Sequence, residues 1–295
     1  MKYCILIMLA VLAPRRVTIP FSYDKTLVEI STLTVKKEPY GIVKLKKIGS
    51  KIKIKYFAFK SNNGTAGQRY AAWAKNRNIV AYSSGTYMDH CNARIASPVG
   101  LCIDQGITVN ANLSKDGLDG LVIVRATGSM VATNLKDGDL SVAYPGGKTS
   151  KLNIRDVAYD MEEFKNWAKD NEATVFQTHL FVYKNQFLVN ANSKPTLAQR
   201  RFLAMGTLAN GDVVYYIINL STPATLLAGA QKAFNYLQEI ESVKEVGFLL
   251  NLDTGCQDIF KLFDPMGQEF VDRAFQGDHR IELSNASNVL AFYYE

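Results

Sequence analysis

The chain is poor in the residues that build covalently or metal-held folds. It has 4 cysteines and 3 histidines in 295 residues. Cys4 lies in an apolar N-terminal run, which leaves Cys91, Cys102 and Cys256. An odd number excludes a complete disulfide framework, and whether one bridge forms beside one free thiol stays open at this level. The spacings match no zinc pattern. No helix bears a dense Arg/Lys face and no nucleic-acid motif occurs, so no nucleic-acid partner is expected. Past the N-terminal run no segment is long and apolar enough for a transmembrane span. Internal repeats, low-complexity tracts and Pro/Ser-rich linkers are absent too, which leaves one compact domain as the economical organisation.

What is present is globular. Hydrophobic residues make 47% and charged residues 21% of the chain, ordinary values for a protein with a sizeable core. The net charge of +7 is mild. Much of it sits at Lys44, Lys46, Lys47, Lys51, Lys53 and Lys55, whose spacing reads as a solvated strand face rather than a site for an anionic partner. Lys2 precedes the apolar run Tyr3–Leu12, which ends at Ala13. This is too short for a bilayer and reads as a signal peptide over 1–13, so the protein is expected to be exported to periplasm, cell surface or medium.

Periodicity places the elements. Thr26–Val35, Gly41–Lys47 and the alternating Lys51–Phe59 read as strands, with Gly49-Ser50 as a hairpin turn and Asn62-Asn63-Gly64 as a strand end. They form an N-terminal β-rich segment over 17–62, and the main domain takes 63–295. Thr65 caps a helix from Ala66 to about Asn76. Ile79–Tyr82 and Leu121–Arg125 read as strands, and Pro98–Asp104 with Ile107–Asn110 as a hairpin about Gln105-Gly106. Residues 134–150 read as loop or short irregular strands. Asp160 and Glu163 form a capping box for a helix through Lys169. Thr174–Tyr183 reads as one strand, followed by Phe202–Leu208 and Val213–Ile218 about the turn Asn210-Gly211. Thr222 and Pro223 open the longest helix, and Gly247–Leu252 is the strand after it. The expected fold class is α+β: a mixed, largely antiparallel sheet with a few packed helices.

The strand Gly247–Leu252 ends in Asp253-Thr254-Gly255-Cys256-Gln257-Asp258. An apolar run that stops at a carboxylate, a hydroxyl, a thiol and an amide is how a buried strand delivers a site at its end. Phe176-Gln177-Thr178-His179-Leu180 is a second polar island within an apolar strand. By residue chemistry, Asp253 is the leading catalytic carboxylate, with Asp258 and Asp89 as candidates for a second. His179 is a candidate acid/base, with His90 behind it. Cys256 with either histidine makes a weaker case for a cysteine hydrolase.

Three segments together resemble the phosphodiester glycosidase family, which includes many bacterial exported proteins linked to exopolysaccharide. The first is Ala81–Tyr87 followed by Pro98-Val99-Gly100 and Asp104-Gln105-Gly106. The second is Arg200–Gly206, and the third Asn251–Gln257 after the long helix. The likeness spans residues 78 to 265 in order and spacing. Ser83 stands where the family has Asn, Thr86 where it has an aromatic, and Thr254, Cys256 and Gln257 replace two glycines and a serine. Asp253, Gly255, Gly85 and Arg201 keep the pattern, the arginine displaced by one residue.

The resemblance implies a hydrolase that cleaves a glycosidic bond in a sugar-1-phosphodiester or related glycan. Asp253 would be the key carboxylate and Arg201 the phosphate binder, with Arg200 as its rival. Ser83, Gly85, Tyr87, Asp89, Gln177, Asn251, Thr254, Gly255 and Gln257 would line the substrate. No cofactor is clearly implied; a divalent metal near Asp253 and Asp258 is one option. The departures from the motif leave a second reading open, a non-catalytic glycan-binding protein of envelope or exopolysaccharide assembly.

Overall fold

The computed structural model describes residues 26–46, 51–58, 64–92, 95–114, 117–138, 140–189, 195–275 and 281–295. The segment 1–13 read as a signal peptide, the expected turn Gly49-Ser50 and the expected strand end Asn62-Asn63 lie outside them. Strands β1 (Val28–Val35), β2 (Glu38–Lys46) and β3 (Ile52–Phe57) come first, then helix α1 (Ala66–Ala74) and β4 (Asn78–Ser83). Next are β5 (Cys102–Asp104), β6 (Ile107–Asn110), β7 (Gly120–Val124), β8 (Met130–Asn134), β9 (Leu140–Ala143) and β10 (Thr149–Leu152). Helix α2 (Ala158–Asp170) precedes β11 (Thr174–Thr178), β12 (Leu180–Tyr183), β13 (Gln186–Phe187), β14 (Ala198–Thr207) and β15 (Val213–Ala224). Helix α3 (Leu226–Glu239), β16 (Glu245–Leu252), β17 (Phe260–Leu262) and β18 (Val289–Tyr294) complete the order.

The expected α+β class is overturned. The described residues are dominated by strands, gathered in four sheets whose pairings are all antiparallel, with three α-helices. A seven-stranded sheet runs β1-β2-β15-β14-β16-β12-β13, a five-stranded one β6-β5-β11-β7-β8, a four-stranded one β17-β4-β18-β3, and β9 pairs with β10. The three expected helices are present; the excess of strand lies in stretches given no element or read as loop, β8–β10 within 130–152 and β17 and β18 near the C-terminal end.

Strand alternation sorts the core. Val43, Leu203, Tyr215, Ile217, Phe248 and Leu250 point from the seven-stranded sheet into one shared interior with Tyr56, Val80, Val122, Phe176, Leu290 and Phe292 of the other two large sheets. The alternate residues Ile42, Phe202, Tyr216, Ile218 and Leu249 face outward onto Ala230, Ala233, Phe234 and Leu237 of α3. In the same way α2 covers the five-stranded sheet through Phe164 and Trp167, and α1 covers the four-stranded sheet through Tyr70. Each fully buried Leu, Ile or Phe contributes roughly 1.5–3 kcal/mol of hydrophobic stabilisation.

Three local expectations are corrected. Thr174–Tyr183 is not one strand: it breaks at His179, β11 pairing with β5 and β7 while β12 pairs with β16 and β13. The chain crosses from one sheet to another there, which brings their ends together. The long helix starts later than Thr222. Strand β15 runs on to Ala224, a register shift opposite Ala198/Arg200 leaves Ser221–Pro223 without ladder partners, and Thr225 caps α3 by accepting from Ala228 N at 3.2 Å. Proline is tolerated in that stretch because its missing N–H has no partner to lose. Helix α2 has no side-chain cap; Asp160 sits in its first turn and accepts from Asn153 N at 2.6 Å, while Glu163 accepts from the Tyr144 hydroxyl at 2.6 Å. The Thr65 cap holds, with Gln68 closing the box.

Candidate functional site

The site forms where β4, β11 and β16 end together. Asp253 follows β16 directly and is 5% exposed. Its backbone N–H donates to Gly85 O at 3.0 Å, and its Oδ1 accepts from Gly255 N at 2.8 Å. Gly85 is needed for a close approach: a Cβ there would lie 2.7 Å from the Tyr56 ring. Gly85 N in turn donates to Asn288 Oδ1 at 2.6 Å. Ser84, the residue between, donates to the Asp253 carbonyl. The backbone of Asp253 is thus held by Ser84 and Gly85, just past β4, and its carboxylate by the Gly255 N–H of its own loop.

Around it the pleat separates two groups. Toward the shared interior, Arg201 Nη1 donates to Asp258 Oδ1 at 2.6 Å and to Ser83 Oγ at 3.2 Å. Both partners of this ion pair are sealed, at 0% and 1% side-chain exposure. The guanidinium stacks 4.4 Å from the Phe260 ring centroid, and its Nε and Nη2 have no hydrogen-bond partner among the described residues. Toward the α3 side lie Asn251, Tyr87, His179 and Arg200. Asn251 Nδ2 bonds the Tyr87 hydroxyl and Leu252 O, and Tyr87 meets the His179 ring edge-on at 5.2 Å between centroids. Arg200 is held by Ala224 O at 3.0 Å and Thr196 O at 2.6 Å.

Electrostatics single out Asp253. Burial pushes its carboxyl up to about 6; the Gly255 N–H opposes this, the Asp258 charge adds to it, and Arg201 opposes it. Burial raises Tyr87, reinforced by the Asp253 charge. Burial lowers His179 below its usual range, against the opposing bond to Gly117 O. That bond, 2.9 Å from Nδ1, places the proton of the neutral ring on Nδ1.

Several expected lining residues serve the scaffold through their side chains. Gln177 Oε1 accepts from Leu101 N at 2.7 Å and Ser114 N at 2.9 Å, while Nε2 donates to Leu118 O at 2.9 Å and Ser114 O at 3.2 Å. Gln257 bonds His90 O at 3.1 Å, Cys91 O at 2.6 Å and Ser287 Oγ at 3.0 Å. The Thr254 hydroxyl donates to Gln199 O at 2.8 Å. Asp89 is exposed and accepts from Ser97 N at 2.7 Å, closing its own loop, and His90 is exposed beside it. Cys256 is bonded to Cys91 across 165 residues of chain, which removes the thiolate that a cysteine hydrolase needs. Cys102 is free and buried.

Asp253 and Asp258 do not make a donor set for a divalent cation, because Asp258 is already committed to a guanidinium and no group of three His, Cys, Asp or Glu converges among the described residues. Sequence reasoning missed Ser84, Phe260 and Asn288. The signal was there for Asn288: Ser287-Asn288 is a polar pair abutting the apolar run Val289–Tyr294, the same boundary that marks Asp253.

No protein-family model matches the chain, and no curated protein matches its sequence. Among solved structures, the chain is similar to the catalytic domain of zebrafish N-acetylglucosamine-1-phosphodiester alpha-N-acetylglucosaminidase, auto-inhibited by its pro-peptide, at 14% identity and TM-score 0.48, over 91% of this chain and 82% of that one. A hypothetical protein from Synechocystis gives 10% identity and TM-score 0.46, over 91% of this chain and 62% of that one. A candidate exported protein from Burkholderia pseudomallei gives 10% identity and TM-score 0.41, over 87% and 74%. All are distant likenesses.

Proposed function

We propose that the protein is a hydrolase that cleaves the glycosidic bond of a sugar-1-phosphodiester or related glycan, with Asp253 as its key carboxylate. The observation that carries this reading is Asp253 itself: a buried carboxylate just past a strand end, its backbone fixed by Gly85 and Ser84 and its pKa lifted to about 6. Structural aspartates are held by salt bridges that lower their pKa; one raised by desolvation at a polar strand junction is a functional candidate. The motif resemblance over residues 78 to 265 supports the same chemistry.

In this reading the ionised Asp253 stabilises or attacks the anomeric carbon. The C–O bond to the phosphodiester breaks, water supplies hydroxyl to the sugar, and the proton goes to the departing phosphate. The leaving group is already a fair one, so acid assistance matters less. Arg201 with Asp258 sets the charge beneath Asp253. Arg200, beside Tyr87 and His179, is the more accessible of the two cations for a phosphate. A signal segment at 1–13 supports export, and the Cys91–Cys256 bond suits an oxidising compartment. No helix among the described residues is long and apolar enough to cross a membrane.

The non-catalytic reading draws on one observation: Gln177, Thr254 and Gln257 direct their side chains to the scaffold. Assay of a broad set of sugar-1-phosphodiesters separates the two. Release of free sugar, lost at least a thousandfold in Asp253→Asn with unchanged circular dichroism, supports the hydrolase. Glycan binding with no turnover selects the binding protein.

A further inference from the structure

At the opposite end of the strands from Asp253 lies a polar cavity of about 230 Å³. The registers locate it: Tyr293 and Thr174 line it, whereas Asn288 and Thr178 lie at the Asp253 end of the same segments. Four cations reach it from three elements: Lys53 and Lys55 on β3, Arg77 just past α1 and Arg125 just past β7. Glu172 and Glu295 also line it, which leaves an excess of positive charge.

The cations are unequally satisfied. Lys53 pairs with Glu295. Lys55 donates to the neutral amide of Gln105 at 3.1 Å, and Arg77 rests 5.4 Å from the Trp73 ring centroid. Lys55, Arg77 and Arg125 meet no carboxylate at ion-pair distance among the described residues. Burial lowers the Lys55 ammonium, Asp104 and Glu172 oppose this, and Arg69 and Arg77 lower it further. A docked anion would relieve that repulsion. Gly128, at φ +83, lets the β7–β8 turn pack on Lys53, where a Cβ would come within 2.6 Å of the lysine Cβ. The cluster is therefore built by the fold rather than scattered on a surface.

We propose that this cavity is a binding subsite for a tetrahedral oxyanion, the phosphate group of an acidic glycan. Donors converging from several directions suit a tetrahedral anion with several acceptor oxygens better than a planar carboxylate. Trp73 and Tyr293 in the wall give the attached sugar an aromatic surface. The subsite stands apart from the reading of Asp253 and does not depend on it.

The chain has two tryptophans, and the other, Trp167, packs under the five-stranded sheet. Trp73 fluorescence therefore reports this cavity. Inorganic phosphate and glucose 1-phosphate are titrated at constant ionic strength. Both are expected to give saturable changes, the sugar phosphate at lower concentration, and the signal is expected to vanish in Trp73→Phe. Lys55→Gln/Arg77→Gln should weaken binding at least tenfold, whereas Lys36→Gln/Lys151→Gln and Asp253→Asn should leave it unchanged. A response reproduced by sodium chloride, no saturable response from the folded wild type, or equal affinity in a folded Lys55→Gln/Arg77→Gln variant overturns the proposal. If that variant fails to fold, phosphorus NMR of the Arg200→Gln protein with and without sulfate competition decides it: phosphate line broadening that persists there and is reversed by sulfate sustains the site, and its absence removes it.

Discussion

Arg201 and Asp258 form an ion pair at 2.6 Å with both side chains shut off from solvent, and the guanidinium lies on the Phe260 ring. The pair joins β14 to the loop after Asp253, and both of its charges act on that carboxylate, Asp258 raising its pKa and Arg201 opposing. Removing one partner strands the other as a buried charge, which costs about 3–5 kcal/mol. Arg201→Met should lower the unfolding free energy by that amount, read from the fall in the urea midpoint multiplied by m. Arg201→Met with Asp258→Leu should recover much of it. If the single variant melts like wild type, the pair is not as buried as described.

Asp253 makes a prediction with two signs. Its folded pKa of about 6 lies above the ordinary aspartate value of 3.8, so the folded protein retains a proton that the unfolded chain releases. The Asp253 contribution to stability is therefore fully present below about pH 4 and is lost as pH rises to about 6, by about 3 kcal/mol at full ionisation. Asp253→Asn removes that penalty while its Oδ1 can still accept from Gly255. The variant should melt higher than wild type near pH 8 and alike near pH 4. Catalysis should move the other way: kcat of the wild type should fall about tenfold per unit below about pH 6, and the variant should be inactive. Thermal melts at both pH values and a pH–rate profile check the two halves separately.

Cys91 and Cys256 fasten the loop after Tyr87 to the loop after Asp253. Closing so long a chain segment stabilises by up to about 5 kcal/mol in the chain-entropy picture. Reduction, or Cys91→Ser, should lower the melting temperature and loosen the Asp253 loop. Alkylation of the unreduced, denatured protein should label Cys102 and spare Cys91 and Cys256, as read by peptide mass. Labelled Cys256 would refute the bridge.

Gln177 bridges Leu101, Ser114 and Leu118, and Gly100 at φ +97 presses against it. Gln177→Ala leaves the buried Leu101 N–H unpaired and removes a second bond from the part-buried Ser114 N–H, a loss of about 2 kcal/mol. The expected result is lower stability with KM nearly unchanged. A large KM increase at full stability would instead make Gln177 a substrate contact.

Much of the site was legible in the chain because polarity changes abruptly at strand ends. That signal marks Asp253 and His179, the family resemblance adds Asn251 and Tyr87, and the structure brings the four together. The signal says nothing of where a polar side chain points. Gln177 and Gln257 looked like substrate ligands and are braces; Asp89 looked like a second carboxylate and closes a surface turn. The fold class was misjudged because a short apolar run such as Val289–Tyr294 carries no decisive period.

The residues alone determined where strands alternate, where Thr65 caps α1, and that a carboxylate stands at the end of an apolar strand. Those are local matters, set by side-chain chemistry within a few residues. Tertiary structure decided the rest: that His179 is a crossing between two sheets, that Cys256 pairs with Cys91, and that Asp258 answers Arg201. Each depends on partners far apart in sequence, brought together by the burial of three sheets on one core.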